Sequence, residues 1–511
     1  MSASQASPRR RRKGRLLAVL GVIGVALAGA ALLAYQYRHD LLKQAYMMRP
    51  IDDRPRAGAE AGFNALVIVL DACRADKIGA YGFDRETTPV MDEIANDPDG
   101  AVFLNYYVQE TWTKPSTASL FTGLYAHEHG HVFGHLEVDN PQSDDNFIIQ
   151  TLPPSLVTIA ELLDEAGFYT FGVVSPHQLG ERYGFDQGFA EYHDPPTRGG
   201  EGDDLRVRTT TALIPAISGR FFGYVHLLGC HRPFPPEFRD AAYMSQYGMA
   251  YDEEARRDEG IDFSTIMPLD KLIKDGQIEL ADDDVKFFHL LYESRLRWTD
   301  RESLAPIIQS LKDSGKYDET LIIITADHGE ELYDHRGYGH GHALWNEVIR
   351  VPLVVKYPKG EKPEAIDARV SDLVRSVDIA PSLLSLAGLA APETFRGTAA
   401  LTGAFSPYAF SENASCTLEN IDICHVTADW SLIKDGFKLI ETDEETLLFK
   451  LSDDPGERRS LTSEMPEQVE QMSNFVVELK EQSTIAASTS GLDQKMDEDA
   501  VKALEGLGYV Q

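Results

Sequence analysis

Five apolar runs in this chain of 511 residues end at, or follow, side chains able to do chemistry. ALVIVL (65–70) ends at Asp71, YTFGVV (169–174) near His177, FFGYVHLL (221–228) near His231 and LIIIT (321–325) at Asp327 and His328, while VPLVVKY (351–357) follows His340 and His342. Taken singly, each has an ordinary explanation: an aspartate after a strand caps a helix, and a lone histidine is a satisfied polar residue. Together they gather beyond the carboxyl ends of hydrophobic strands, where open α/β sheets place ligands, and so point to one convergent site. A sixth stretch, ETWTKPSTASLFTGLYAHEHG (110–130), sets Thr113 and Lys114 ahead of a proline and a serine, with no catalytic base beside Thr113. The segment His127–His131 satisfies the H-E-x-x-H spacing of zinc proteases, a motif that requires both histidines on one helical face. Gly123, Gly130 and Gly134 surround it and no amphipathic run follows, so no such helix is expected.

The elements that must position these residues alternate between apolar runs and amphipathic segments, the pattern of an α/β sheet with helices on its faces. SLVTIAELLDEAG has apolar residues at helical spacing and a closing Gly167, and residues 286–314 carry a longer amphipathic pattern. From about Tyr408 the runs DWSLIK, FKLIET and TLLFKL read as short strands, followed by a helix over 467–480, together a small C-terminal sheet-and-helix subdomain. The length favours a large catalytic unit beside a smaller one. With 48 basic against 81 acidic residues the chain carries a formal charge of -33, which disfavours nucleic acid and anionic lipid as partners. At the N-terminus a basic tail (1–15) precedes an uncharged run, 16–35, long enough for a bilayer core of ~30 Å. That reads as one membrane anchor, the alternative being a cleaved signal peptide. The charge bias keeps the tail cytoplasmic and puts everything beyond Tyr35 outside, in a periplasmic or extracellular space. Residues 36–62 read as a linker, 63–405 as the catalytic domain and 406–511 as the C-terminal subdomain. Of the four cysteines, Cys416 and Cys424 are close enough in sequence for a loop bridge, and Cys73 and Cys230 read as buried, inert thiols, the alternative being a second bridge between them beneath the site.

Several motifs occur in an order that resembles the sulfatases and their relatives in the alkaline phosphatase superfamily. VLDACRADKIGAYGFDRETTPVMDEIA (69–95) resembles the opening motif of that family, and TADHGEEL (325–332) the motif that completes its metal site. YVHLLGCHRPFPP is similar to the strand that ends in a substrate-binding histidine, here His231. GHGHALWNEVIRVPLVV is similar to the segment that brings a further substrate-binding group, here His340 and His342. LLFKLSDDPGERRSL and LEGLGYV resemble the C-terminal subdomain of bacterial sulfatases. The resemblance covers most of the chain. It implies an alkaline-phosphatase-like α/β/α sandwich with a central mixed sheet, a small C-terminal α+β subdomain, and a divalent metal held by Asp71, Thr113, Asp327 and His328.

The same resemblance places Thr113 at the nucleophile position, where sulfatases carry a Cys or Ser that is oxidised to formylglycine. A threonine implies a simpler route, with the hydroxyl itself attacking in line. An alcohol is a weak nucleophile unless a base or metal activates it, as zinc lowers the pKa of bound water from 15.7 to roughly 7. His231, His340 and His342 would hold ester oxygens or protonate the leaving group, and Lys114 would add positive charge unless it is simply an exposed, flexible lysine. Two positions depart from the family pattern: Ala72 replaces a carboxylate and Thr117 replaces an arginine. Fewer hard oxygen ligands remain than calcium prefers, which favours Mn2+ or Zn2+ while leaving Ca2+ open. The implied activity is hydrolysis of a sulfate or phosphate ester of a small molecule or glycan, with phosphorus chemistry preferred. Two alternatives stay open: a phosphoryl-group transferase acting on envelope glycans or lipids, and an inactive sulfatase-like binding protein. Oligomeric state is not specified by the sequence.

Overall fold

A computed structural model describes residues 62–132, 135–137, 147–194, 202–264, 269–420, 423–482 and 494–495. The anchor, tail and most of the linker expected within 1–62 lie outside them. Among the described residues no helix is long and apolar enough to cross a membrane.

Apolar, β-branched sequence sets the centre of the molecule. β1 (Asn64–Leu70) forms first, then β2 (Gly100–Tyr107), which carries the chain to the threonine segment. Two short strands, β3 (His135–Glu137) and β4 (Phe147–Ile149), pair with each other to one side. β5 (Tyr169–Val174), β6 (Glu191–His193), β7 (Phe221–Leu227) and β8 (Thr320–Thr325) follow. A two-residue hairpin, β9 (Glu331–Leu332) and β10 (Tyr338–Gly339), precedes β11 (Leu353–Lys356) and β12 (Arg369–Arg375). Eight of these make one sheet in the order β12-β2-β11-β8-β1-β7-β5-β6. Its neighbours run parallel except at β11, which is antiparallel to both β2 and β8. The strands β1, β5, β7 and β8 are buried at every residue, as central strands covered on both faces must be.

Two groups of helices flank the sheet. α1 (Pro89–Ala95), α5 (Gly202–Ala216), α6 (Asp282–Thr299) and α7 (Ala305–Asp313) pack among themselves. α2 (Thr113–Thr122), α4 (Ile159–Glu165) and α9 (Ile379–Leu386) form the other group. Between them in sequence lie two single turns, α3 (Ala126–His129) and α8 (Asn346–Ile349). The long amphipathic pattern expected over 286–314 is interrupted: one π turn, Asp300–Leu304, joins α6 to α7. The five strands read from the sequence are all present, but three others in the sheet, β2, the three-residue β6 and β12, were not among them. GAVFLNYY mixes polar and apolar residues, and RVSDLVR is an edge strand with several exposed positions, so neither shows the continuous apolar run of a central strand.

The C-terminal residues form an antiparallel sheet, β13 (Tyr408–Asn420), β14 (Ile423–Lys434), β15 (Phe437–Glu441) and β16 (Thr446–Lys450), with α10 (Pro466–Glu481) against it. A last pair of residues, β17 (Gln494–Lys495), joins β4. Phe410, Trp430, Leu432, Leu439, Leu448, Met472 and Val476 form a core that also takes in Tyr125, just beyond α2. Backbone and side-chain bonds tie β13 to the end of β2: Glu412 N–H donates to Gln109 O at 2.8 Å and Ser411 Oγ donates to Val108 O at 2.6 Å. The backbone register sets Cys416 opposite Val426 and Cys424 opposite Leu418, and the side chains of this segment lie outside the described ones. Cys73 and Cys230 are buried and free, as the sequence suggested.

Candidate active site

The sheet order brings the carboxyl ends of β8, β1 and β7 side by side, and the residues that follow them meet. Asp71 directly follows β1, and Asp327 and His328 follow β8 with one residue between. One ligand atom from each of these three lies within 4.8 Å of the others. The backbone there is bent to allow it: Ala72 takes a left-handed φ of 59°, and its N–H, with that of His328, donates to Asp327 Oδ1 at 3.3 and 3.0 Å. Tyr292 Oη, from α6, holds this turn by donating to Ala72 O and accepting from Arg74 N, both at 2.8 Å. Asp327 Oδ1 is thereby occupied and Oδ2 is left to face the site.

Thr113 is fully buried at the first position of α2, where the positive end of the helix dipole favours an anion. Pro115 is tolerated in the first turn, and Ser116 Oγ donates to Asp327 O at 2.6 Å, locking the helix to the end of β8. Thr113 Oγ1 is 3.3 Å from His328 Nε2. On the other side of that ring Nδ1 donates to Gly329 O at 2.8 Å, so Nε2 turns its lone pair into the site.

These residues fit a divalent cation. Asp71 Oδ1 and Oδ2, Asp327 Oδ2 and His226 Nε2 are enclosed and lack a hydrogen-bond partner among the described residues. Buried carboxylate oxygens left in that state are strongly unfavourable unless a cation compensates them. Burial first, and Asp327 second, push Asp71 well above the usual carboxylate range. For Asp327 burial acts in the same upward sense, but the adjacent His328 and His226 rings outweigh it and hold the carboxyl well below that range. Two like charges cannot both be held cheaply in one dry pocket.

The remaining expected residues are distributed differently. His231 and His340 meet edge to face, ring centres 5.0 Å apart, and His340 lies 4.1 Å from the His328 ring. His340 thus stands beside the Asp71, Asp327 and His328 cluster, with His231 against it. His231 Nδ1 bonds to Arg232 O, and His340 Nδ1 to Glu330 Oε1 at 3.0 Å. Burial, then the neighbouring His340, push His231 down to about 3; burial, then His328, lower His340 well below its ordinary value. Burial thus works against a second proton on either ring. His342 has both nitrogens engaged within its own loop, Nδ1 to His340 O at 3.1 Å and Nε2 to Glu331 Oε2 at 3.0 Å. It holds the loop instead of reaching for an ester oxygen. Lys114 is not the exposed lysine of the ordinary reading: it is fully buried, Nζ donates to Gln150 O at 2.6 Å, and it lies 4.8 Å above the Tyr183 ring. Burial lowers its pKa well below the usual value.

Ala126–His129 forms one helical turn, with Glu128 Oε2 accepting from Tyr125 N at 3.1 Å, and as expected no helix carries His127 and His131 on one face. The turn ends at Gly130 (φ 65°) before His131, and its side chains diverge: His127 pairs with Glu412 at 2.7 Å, Glu128 with Arg396 at 2.6 Å, and His129 with Ser119 Oγ at 3.1 Å. No protease-type zinc site results. Glu331, His335 and Glu347 also converge, but they satisfy one another and the β9–β10 hairpin. His335 Nδ1 bonds Glu347 at 2.5 Å, and Glu331 Oε1 accepts from His335 N and Gly337 N at 3.0 and 2.7 Å.

Sequence reasoning passed over three residues. Glu330 orients His340 and lies 3.2 Å from Arg232 Nε. Arg74 grips Asp76 at 2.8 Å and Asp334 at 2.6 Å and donates to Glu330 O at 3.1 Å, fastening the loop after β1 to that after β8. His226, inside β7, lies against the aspartates. Its one signal was a histidine interrupting an otherwise apolar run.

Comparison with known proteins adds the following. The model of the sulfatase family matches residues 64–389, and that of the C-terminal region of N-sulphoglucosamine sulphohydrolase matches 332–484. The chain is 24% identical over 411 residues to N-acetylglucosamine-6-O-sulfatase of Bacteroides thetaiotaomicron, covering 65% of this chain and 69% of the relative. It is 26% identical over 406 residues to the multifunctional alkaline phosphatase superfamily protein PehA of Trinickia caryophylli, covering 66% and 76%. Phosphonate monoester hydrolase of Agrobacterium radiobacter superposes with a TM-score of 0.62 at 20% identity over 83% of this chain and 96% of that one, a likeness of fold.

Proposed function

Because the chain belongs to the sulfatase family and shares its alkaline-phosphatase-like fold, we propose that it is a metal-dependent ester hydrolase in which Thr113 is the nucleophile. Hydrolysis of sulfate or phosphate esters is the activity of the family; the preference for phosphorus, the threonine and the metal are particular to this reading. The observation that carries it is the approach of Thr113 Oγ1 to His328 Nε2, 3.3 Å, beside two buried carboxylates with three oxygens lacking donors.

A divalent cation held by Asp71, Asp327 and His328, Mn2+ or Zn2+ before Ca2+, would lower the pKa of a nearby hydroxyl and polarise the ester. The chain's own groups do the rest. α2 presents Thr113 at its positive end, and Ser116 keeps that end against β8. His231 and His340 hold the non-bridging oxygens through Nε2–H, since Nδ1 of each ring donates elsewhere; the anionic ester favours the second proton on these rings that burial alone disfavours. His342 acts through its hold on the loop. Thr113 carries a methyl group where a formylglycine hydrate would carry a second hydroxyl, so its adduct cannot collapse to an aldehyde. Release requires a second in-line displacement, which supports phosphorus esters over sulfate. Small molecules and glycans both remain within the substrate class. The tether read in residues 16–35 belongs to the same proposal and places the catalytic unit outside the cytoplasm.

The test uses the full chain loaded in turn with manganese, zinc and calcium and assayed on aryl phosphate monoesters, phosphate diesters and sulfate monoesters. Phosphorus esters are expected to turn over, and Thr113→Ala is expected to lose about 10³-fold or more in kcat. Turnover retained in Thr113→Ala would remove the nucleophile assignment, and a phosphoryl group trapped on Thr113 would establish it.

A further inference from the structure

We infer that His226 is a second imidazole ligand of the bound metal, standing in for the carboxylate that Ala72 cannot supply. The inference rests on the reading of Asp71, Asp327 and His328 as a metal site.

Strand register puts His226 there. In the parallel sheet His226 pairs with Val69 of β1, and Val69 pairs with Thr325 of β8. Residues in register across parallel strands point to one face, and so do residues two apart along a strand. Asp71 lies two beyond Val69 and Asp327 two beyond Thr325, so all three side chains are directed to the same face at the same end of the sheet. The distances agree: His226 Nε2 is 3.5 Å from Asp327 Oδ2 and 3.8 Å from Asp71 Oδ2. Two ligands about 2.1 Å from a metal are separated by about 3.4 Å at a tetrahedral angle, and an ion that expands to five ligands keeps a position for Thr113 or the ester.

Nothing else satisfies that nitrogen. His226 is fully buried, and Nε2 has no hydrogen-bond partner among the described residues, in common with the carboxylate oxygens it faces. The other nitrogen is fixed: Nδ1 lies 2.8 Å from Tyr224 Oη, whose ring packs on Phe121 of α2 at 4.7 Å. Ligation selects the tautomer in which Nδ1–H donates to the phenol oxygen and Nε2 presents its lone pair, the arrangement that orients metal-ligating histidines. His328 has the same arrangement through Gly329 O. At the place where the family has a further carboxylate, Ala72 offers only its N–H, which is used on Asp327 Oδ1. Two imidazoles and two carboxylates make a nitrogen-rich set suited to zinc and poor for calcium.

X-ray absorption at the zinc edge on the full chain counts imidazoles directly, and equilibrium dialysis gives zinc and calcium affinities. The expected result is two imidazoles in the wild type and one in His226→Gln, with zinc affinity lowered at least about 100-fold and calcium affinity changed far less. His340→Gln should leave the count at two. An unchanged count in His226→Gln, or a loss in His340→Gln instead, would overturn the inference while leaving the three-residue site intact. A wild-type chain that retains no metal would overturn both. Should His226→Gln fail to fold, His328→Gln decides: one remaining imidazole is expected, and none would overturn the assignment.

Discussion

Asp71 and Asp327 share one pocket with opposite tendencies, and the cause is what each oxygen touches. Both carboxylates face the His226 and His328 rings, but Asp327 Oδ1 also accepts two backbone N–H groups, whereas neither oxygen of Asp71 accepts a hydrogen bond among the described residues. A pair of buried carboxylates with so few donors is stable only with a compensating positive charge, which the fold itself does not bring to Asp71. Removing one of the pair should remove the reason for a cation to stay. Asp327→Ala is therefore expected to lose its metal on dialysis, with stoichiometry read by elemental analysis; full occupancy in that variant would refute the ligand set. The absence of the family's arginine at Thr117 and of its carboxylate at Ala72 fits the same balance. One cation and one anion are lost together, so the site's formal charge is unchanged.

At the scale of elements, the site depends on how turns and helices are fixed to strand ends. Arg295 Nε and Thr299 Oγ1, both on α6, donate to Gly229 O at 2.8 and 2.9 Å, clamping the loop that leads from β7 to His231. The π turn that follows α6 offers Asp300 to the start of α1: its carboxylate accepts from Val90 N at 2.8 Å and Met91 N at 3.0 Å. It caps a helix distant in sequence, as a local N-cap would. Burial pushes Asp300 up to about 7, against those two N–H donors. In the unfolded chain an aspartate titrates near 3.9. The folded state thus keeps a proton that the unfolded state loses over this window, and stability from this group is full below about pH 4 and lost as pH rises through 7. Chemical denaturation of wild type and Asp300→Asn at several pH values should show the wild type losing ground as pH rises, by at most about 1.4 kcal/mol per unit. Parallel profiles would show that Asp300 does not titrate in this range.

At the scale of the whole molecule, the C-terminal sheet braces the catalytic part from two directions. Lys438 of β15 forms a fully buried pair with Glu457 at 2.5 Å, and Glu457 Oε2 accepts from Asn346 N at 2.7 Å at the start of α8. Glu412 of β13 pairs with His127 beyond α2, and with Lys480 of α10 at 3.4 Å. Both ends of the site's scaffold, the segment that follows the Thr113 helix and the loop after β8, are thereby attached to the same sheet. At the other terminus the basic tail and the apolar run 16–35 are the proposed tether. A chain lacking residues 1–40 should partition into the soluble fraction while the full chain sediments with membranes. Continued sedimentation of the shortened chain would require another anchor.

The sequence by itself determined the class of fold, the five apolar strands it was read for, and the place of Asp71, Asp327 and His328 just beyond strand ends. Those are local properties: a run of β-branched residues makes a buried strand wherever it lies, and an aspartate at its end stays there. LSDDPGERRSL likewise pointed to the C-terminal subdomain before Glu457 within it was seen to anchor Lys438. What only the tertiary structure decided is contact between distant segments. Lys114 reads as a surface lysine until α2 packs it beneath Gln150 and Tyr183. His342 reads as a binding group until Glu331 takes its Nε2. His226 reads as a blemish in an apolar strand until parallel register sets it level with Val69 and Thr325. Register between strands more than a hundred residues apart arises from packing and hydrogen bonding across the sheet, and no short window of sequence carries it.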